Sequence, residues 1–173
     1  MSVGGRWVNV PRVVLFVLFG IALHAAAVAA PLAKPTGPVI LTVTGAIAET
    51  NAPGRAEFDQ AMLQALGTDE VRTSTEWTEG QPLFEGVRFS KVLDAVGAKG
   101  TTVLARALND YSGEIAVDDL RKYPVLLALR IDGAALHPDK APIWIIYPRD
   151  DYPALKERDD LLWAWQLATI DVR

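Results

Sequence analysis

The sequence contains no cysteine and only two histidines among its 173 residues. The absence of cysteine excludes disulfide bonds, thiolate zinc sites and cysteine nucleophiles. Neither the Gly-x-Ser-x-Gly pattern of hydrolases nor a glycine-rich phosphate loop is present. A Ser-His-Asp arrangement would have to use His137, which stands in a turn-forming segment. We therefore expect His137 to be a solvated loop residue and most hydrolytic and metal-dependent schemes to be excluded.

Basic residues are in the minority, with 17 Lys and Arg against 21 Asp and Glu. Two of the arginines, Arg6 and Arg12, are the only charged residues among residues 1–29, so residues 30–173 carry 15 basic and 21 acidic side chains, a net charge of −6. An acidic domain argues against a nucleic-acid partner. Three aspartate pairs lack the alternate spacing of a calcium loop and are predicted to be solvated surface charge: Asp118-Asp119, Asp150-Asp151 and Asp159-Asp160.

Residues 1–29 have the three-part order of a secretory signal peptide. A basic start precedes the 11-residue apolar run 13–23, and residues 24–30 (HAAAVAA), almost all of them small, follow. The run is too short to cross a bilayer, which takes about 20 residues. We expect cleavage after Ala29 and export of a single domain, residues 30–173, to the periplasm of a bacterium. An uncleaved N-terminal anchor is the alternative.

Short apolar segments bounded by turn residues predict strands. The Asp132-Gly133 dipeptide predicts a two-residue hairpin turn. The connections are too short for helical crossovers, so the predicted class is α+β, mainly antiparallel β-structure with two or three peripheral helices. The predicted strands are 39–44, 70–75, 101–108, 114–117, 125–131, 143–147 and 167–172.

Helices are predicted at a few positions only. Apolar side chains at helical spacing predict a helix over 55–66 that ends at Gly67. Ser90 is predicted to cap a short helix that runs through Val96. Residues 118–121 fit a single helical turn, and segment 77–84 is predicted to be a loop.

Trp77 stands in a polar segment that suits a flat heteroaromatic ligand. Such a ligand needs a ring to stack on, a carboxylate to accept paired N–H groups, and hydroxyls for its remaining polar edge. Thr73, Thr75 and Glu76 supply the polar groups beside Trp77. The same ring could instead cover the end of the β-structure, and composition leaves both interpretations open.

Tyr111 forms a second candidate, in a predicted turn between Asp110 and Ser112. For Tyr111 the ligand-binding and structural interpretations are again both open. Trp163 and Trp165 have leucine neighbours, so a structural role as cover for the β-structure is favoured for both.

Several short motifs follow one another in a characteristic order. They are Thr73-x-Thr75-x-Trp77, Phe84-Glu85-Gly86-Val87, Asn109-Asp110-Tyr111-Ser112, Asp132-Gly133, Ala141-Pro142-Ile143 through Tyr147-Pro148, and Trp165-x-Leu167-x-x-Ile170-x-Val172. In this order they resemble the oxidoreductase molybdopterin-binding family. The resemblance covers residues 70–173 and implies the sulfite oxidase fold, a mainly antiparallel or mixed β domain of α+β class.

The chain differs from the enzymes of that family at the residue that binds the metal. In those enzymes a cysteine thiolate binds molybdenum, and alignment on Trp77 places Thr73 there. A hydroxyl is a poor substitute for a soft thiolate. The enzymes also commonly carry an arginine where Ile143-Trp144 stands. The resemblance therefore implies that molybdenum chemistry is lost and that the pterin pocket persists.

The chain is similar to small periplasmic pterin-binding proteins that associate with a membrane-bound cyclic-di-GMP enzyme, a diguanylate cyclase or phosphodiesterase. The resemblance implies a reduced pterin as ligand, no covalent cofactor and no catalysis. An oxidoreductase that uses a molybdenum cofactor without the thiolate, or an interaction module without a ligand, are the alternatives. By position, Trp77 and Tyr111 would stack on the pterin, Asp110 or Glu76 would pair with its amino-pyrimidine edge, and Thr73, Thr75 and Ser112 would supply hydroxyls.

Overall fold

A computed structural model of the chain describes residues 1, 31–156 and 163–173. The predicted signal peptide lies outside the described residues except for Met1, and so does the Asp159-Asp160 pair. Within the described ranges, every helix falls short of the length and apolar character needed to cross a membrane.

The described part of the chain contains ten strands and four short helices. The strands are β1 (Val39–Gly45), β2 (Ala56–Asp59), β3 (Thr68–Arg72), β4 (Leu83–Arg88), β5 (Thr102–Ala107), β6 (Ser112–Ala116), β7 (Leu126–Ile131), β8 (Ala134–Ala135), β9 (Trp144–Ile146) and β10 (Leu167–Val172). The helices are α1 (Gln60–Ala65), α2 (Phe89–Ala95), α3 (Val117–Lys122) and α4 (Pro153–Lys156).

The strands form two sheets. One has the order β2-β1-β10-β5-β6, and the other has the order β3-β4-β7-β8, with β9 also paired to β7. Among the described strands, β1 and β10 pair in parallel and the other pairs are antiparallel. The predicted α+β class with mainly antiparallel strands is therefore confirmed.

Side chains from both sheets meet in one hydrophobic cluster. Phe58 and Ile170 enter it from the first sheet, and Phe84 and Leu127 enter it from the second, all fully buried. Burying a side chain of this size stabilises the fold by about 1.5–3 kcal/mol. The loops at the ends of these strands are therefore held on a rigid support.

Two elements that depend on short sequence patterns, strand β10 and the β7–β8 turn, agree with the prediction. Strand β10 has the predicted bounds, 167–172. The β7–β8 hairpin turns at Asp132 and Gly133, whose φ angles of 46° and 75° suit the predicted turn type.

The predicted helix over 55–66 is wrong in its first half. Ala56 and Phe58 are buried and alternate with Glu57 in strand β2, which pairs with β1. The helix starts only after Asp59, whose carboxylate accepts the Met62 N–H at 2.8 Å. Pairing with β1 therefore overrides the helical spacing of these residues.

The predicted cap at Ser90 is also wrong, because α2 begins at Phe89 after Arg88 and has no side-chain cap. The Phe89 N–H instead donates to the Val125 carbonyl at 2.9 Å. A backbone acceptor from the segment before β7 thus replaces the expected side chain.

The region around the candidate site differs from the prediction as well. Strand β3 ends at Arg72, so the last three residues of the predicted strand 70–75 lie in a loop. Strand β4 was not predicted, since Phe84 was assigned to the end of a loop. β4 lies close against β7 at Gly86, where a side-chain carbon would overlap the Leu127 carbonyl oxygen.

Candidate functional site

The loop between β3 and β4, residues 73–82, carries Trp77. The Thr75 hydroxyl accepts the Trp77 N–H at 3.1 Å and lies 2.9 Å from the Thr78 hydroxyl. These bonds close a tight turn within the loop. Trp77 stands on this turn with 38% of its surface exposed. The loop therefore presents a large ring at the protein surface.

Asp150, which follows β9, anchors the same loop. Its carboxylate accepts the Ser74 N–H at 2.6 Å, the Ser74 hydroxyl at 2.9 Å and the Gln81 side-chain amide at 3.0 Å. The prediction that Asp150 is solvated surface charge is wrong. Burial acts to raise the pKa of Asp150, but the hydrogen bonds from Ser74 and Gln81 hold it below its ordinary value.

Three indole rings form what we call the indole cluster: Trp77, Trp144 and Trp165. The Trp77 and Trp165 ring centroids are 4.8 Å apart in an edge-to-face arrangement, and Trp144 lies 6.2 Å from Trp77. Trp144 is 2% exposed, and its indole N–H donates to the Trp163 carbonyl at 3.0 Å. Edge-to-face contacts stabilise aromatic pairs beyond their buried area. The exposed Trp77 ring is thus supported by a buried one.

The two late tryptophans have different environments. Trp163 is buried, as predicted for a structural role. Trp165 is only half-buried and makes the close contact with Trp77. The prediction treated the two rings alike because both have leucine neighbours.

Lys140 covers the indole cluster with a positive charge. Its ammonium nitrogen lies 3.5 Å from the ring centroid of Trp165, 5.4 Å from that of Trp144 and 6.0 Å from that of Trp77. The Lys140 carbonyl accepts the backbone N–H of Gln166 at 3.0 Å, which fixes Lys140 beside Trp165. No spacing or motif in the sequence marks Lys140, so sequence reasoning missed it.

The candidates on the β5–β6 turn lie in the other sheet. Asp110 is exposed with a φ of 66°, Tyr111 is half-buried against the core, and Ser112 is exposed at the start of β6. The Leu108 N–H donates to the Gln166 carbonyl at 2.9 Å. This bond ties the turn to the backbone next to the indole cluster.

The remaining candidates share the Trp77 loop. Thr73 has no exposed surface, and its hydroxyl lies 3.4 Å from the Asp150 carboxylate. Thr75 is buried, whereas Glu76 is exposed beside Trp77. The structure therefore brings Thr73, Thr75, Glu76 and Trp77 together, with both threonine hydroxyls engaged in bonds that hold the loop.

The residues at the aligned metal position do not fit molybdenum. The donor there would be the Thr73 hydroxyl, a hard ligand that is buried and in contact with a carboxylate. The soft thiolate that this metal position uses in the enzymes has no equivalent at Thr73. The exposed ring of Trp77, by contrast, is chemically suited to stack on the flat pterin part of the cofactor.

A cleft of about 370 Å³ opens on the Asp150 side of the loop. Its charged groups are largely engaged: Arg72 donates to the Gln81 carbonyl at 3.0 Å, and Arg88 lies 3.3 Å from the Asp69 carboxylate. The Trp77 face is therefore the better candidate for stacking a flat ligand.

Comparison with models of known protein families identifies the family of the chain. The family model described as the oxidoreductase molybdopterin binding domain matches residues 52–149, more than half of the chain. The match confirms the family resemblance predicted from the motifs. It includes Trp77 and Lys140 but ends before Asp150 and Trp165. No curated protein matches the chain.

Proposed function

Because this chain belongs to the oxidoreductase molybdopterin-binding family, we propose that it binds a reduced pterin and acts as a signalling protein without catalysis of its own. The exposed Trp77 ring, held at the edge of the indole cluster, is the observation that carries the proposal. A pterin is a flat heteroaromatic ring, so it gains most from a fixed ring of similar size.

The support beneath Trp77 favours binding. Its ring packs against Trp165, and its backbone N–H is bonded to Thr75. A ring already held in its binding position loses little side-chain entropy when a ligand arrives. The site is therefore pre-organised for stacking.

Two exposed carboxylates are the candidates for hydrogen bonding to the polar edge of the pterin. Glu76 is exposed beside Trp77, and Asp110 is exposed on the β5–β6 turn. Either carboxylate would pair with the amino-pyrimidine edge of the pterin through two N–H groups. Tyr111 and Ser112 would contact the ligand from the β5–β6 turn. Thr73 and Thr75 would contribute by holding the Trp77 loop in place with their hydroxyl groups.

The proposal also includes a cellular location, the periplasm, and a protein partner in the membrane. The signal-like segment 1–29 supports export to the periplasm. The similarity to small periplasmic pterin-binding proteins supports a partner in the membrane, the outer region of a diguanylate cyclase or phosphodiesterase. Co-purification of the tagged protein with such an enzyme from membranes, in the presence and absence of pterin, tests this part.

Calorimetric titration of a reduced pterin tests the binding itself. Loss of a stacking ring typically costs about 1–3 kcal/mol, so Trp77→Ala should weaken binding roughly 5- to 150-fold. Trp77→Phe keeps a ring and should retain most of the affinity. Unchanged affinity in Trp77→Ala would remove Trp77 from the site, and circular dichroism of both variants checks that the fold is intact.

The family match also favours a second candidate, an oxidoreductase that uses a molybdenum cofactor without thiolate ligation. Metal analysis of the protein purified from its native compartment separates the two. Stoichiometric molybdenum would overturn the non-catalytic proposal, and a released fluorescent pterin without metal would support it.

A further inference from the structure

The Lys140 ammonium lies over the indole cluster without a close carboxylate partner in the described part of the chain. Only 19% of the side chain is exposed. Among residues 31–156 and 163–173, no acceptor lies within hydrogen-bonding distance of the ammonium nitrogen; the Asp139 carboxylate lies 3.9 Å away. That carboxylate is also bonded to the ring of His137, at 2.5 Å.

The indole rings attract the charge of Lys140 but do not replace a hydrogen-bond acceptor. A lysine ammonium has three N–H donors, whereas a ring face offers only an electrostatic attraction. An acidic protein with a net charge of −4 thus keeps a largely covered cation beside Trp77, the exposed tryptophan of residues 31–156 and 163–173. The arrangement suits a ligand that brings a negative charge of its own.

The distances allow one ligand to reach both groups. The ammonium nitrogen lies 6.0 Å from the Trp77 ring centroid. A ring stacked at van der Waals separation lies about 3.5–4 Å above the indole. A substituent at the edge of that ring is therefore within reach of a flexible four-carbon stem.

We propose that the Lys140 ammonium binds an anionic substituent, a carboxylate or a phosphate, on the ligand whose ring stacks against Trp77. The inference rests on the proposed pterin function and narrows the ligand class to pterins with an anionic side group. Lys140 is then the residue that determines specificity among pterins.

Titration calorimetry with matched ligands tests the inference. The 7,8-dihydro forms of pterin, pterin-6-carboxylate and the phosphate ester of 6-hydroxymethylpterin share the reduced ring, and the last two carry the two kinds of anion. The unmodified protein should bind at least one anionic ligand roughly tenfold or more tighter than pterin, the size expected for a charge-assisted hydrogen bond. Which of the two it is identifies the anion.

The Lys140→Met variant should abolish that preference and leave the affinity for pterin within about twofold, because the methionine side chain keeps the length but not the charge. Lys122→Met is the matched control: Lys122 also lies over a ring, 4.9 Å from that of Tyr123, and its loss changes the net charge equally. The control should keep the full preference.

Equal affinity of the unmodified protein for all three ligands would overturn the inference about Lys140 and leave the pterin proposal standing. A preference that survives in Lys140→Met would also overturn it. Binding of none of the three would overturn the pterin proposal as well. The comparison among ligands uses the unmodified protein, so it stands even where a variant fails to fold.

Discussion

The Asp150 carboxylate holds both the backbone and the side chain of Ser74. One oxygen accepts the Ser74 N–H at 2.6 Å, and the other accepts the Ser74 hydroxyl at 2.9 Å. The two residues are 76 positions apart. The loop that presents Trp77 is therefore positioned by the segment after β9.

Replacing Asp150 by Ala should destabilise the protein by about 1–3 kcal/mol, because the Ser74 and Gln81 donors lose a charged acceptor. The same change should weaken pterin binding several-fold, since Trp77 would no longer be held in place. Denaturant unfolding measures the first effect and calorimetry the second.

Asp151→Ala is the matched control for Asp150→Ala. Asp151 is the exposed neighbour and carries the same charge. Its replacement should change the free energy of unfolding by less than about 0.5 kcal/mol. Equal losses in the two variants would mean that charge in this segment, and not the bonds to Ser74, stabilises the loop.

The contribution of Asp150 should depend on pH in a defined direction. Its pKa lies below the ordinary value of about 3.9, so the folded state favours the ionised form. The stabilisation is complete well above pH 4 and is lost as the pH falls through the folded pKa. The difference in unfolding free energy between the unmodified protein and Asp150→Ala should be constant from about pH 5 to 7 and shrink below pH 4. A difference that grows on acidification would contradict the lowered pKa.

Local sequence was sufficient to predict some elements of the fold. Strand β10 and the Asp132-Gly133 turn depend on short patterns, and both were predicted correctly. Strand β2 was not, because its residues also fit a helical spacing and only the pairing with β1 decides between the two. Strand β4 was missed because Gly86 weakens the strand pattern, although the close approach of β7 requires glycine there.

The candidate site was predictable only where its residues stand out in their own segment. Trp77 did so, as a large ring among polar neighbours. Trp165, Lys140 and Asp150 did not, because each belongs to a later segment whose path back to the Trp77 loop is set by the sheets. Their contribution arises from tertiary contacts that no short pattern encodes.

Gly86→Ala should destabilise the protein by about 3 kcal/mol or more, since the added carbon would overlap the Leu127 carbonyl in the neighbouring strand. Gly133→Ala serves as the comparison. Nothing lies within 4 Å of the added carbon there, and only the φ of 75° is unfavourable, at about 1–2 kcal/mol. A smaller loss at Gly86 than at Gly133 in denaturant unfolding would show that β4 and β7 can separate at this point.

The absence of cysteine makes the Trp77 loop open to chemical probing with single engineered thiols. Thr73→Cys should be protected from a thiol reagent in the native state, because Thr73 has no exposed surface. Glu76→Cys, three positions along the same loop, should react freely because Glu76 is exposed. We expect native rates that differ roughly 100-fold, since reaction at position 73 requires local opening, and equal rates in denaturant. Equal rates in the native state would show that the loop opens readily, and would bring the Thr73 hydroxyl within reach of a ligand.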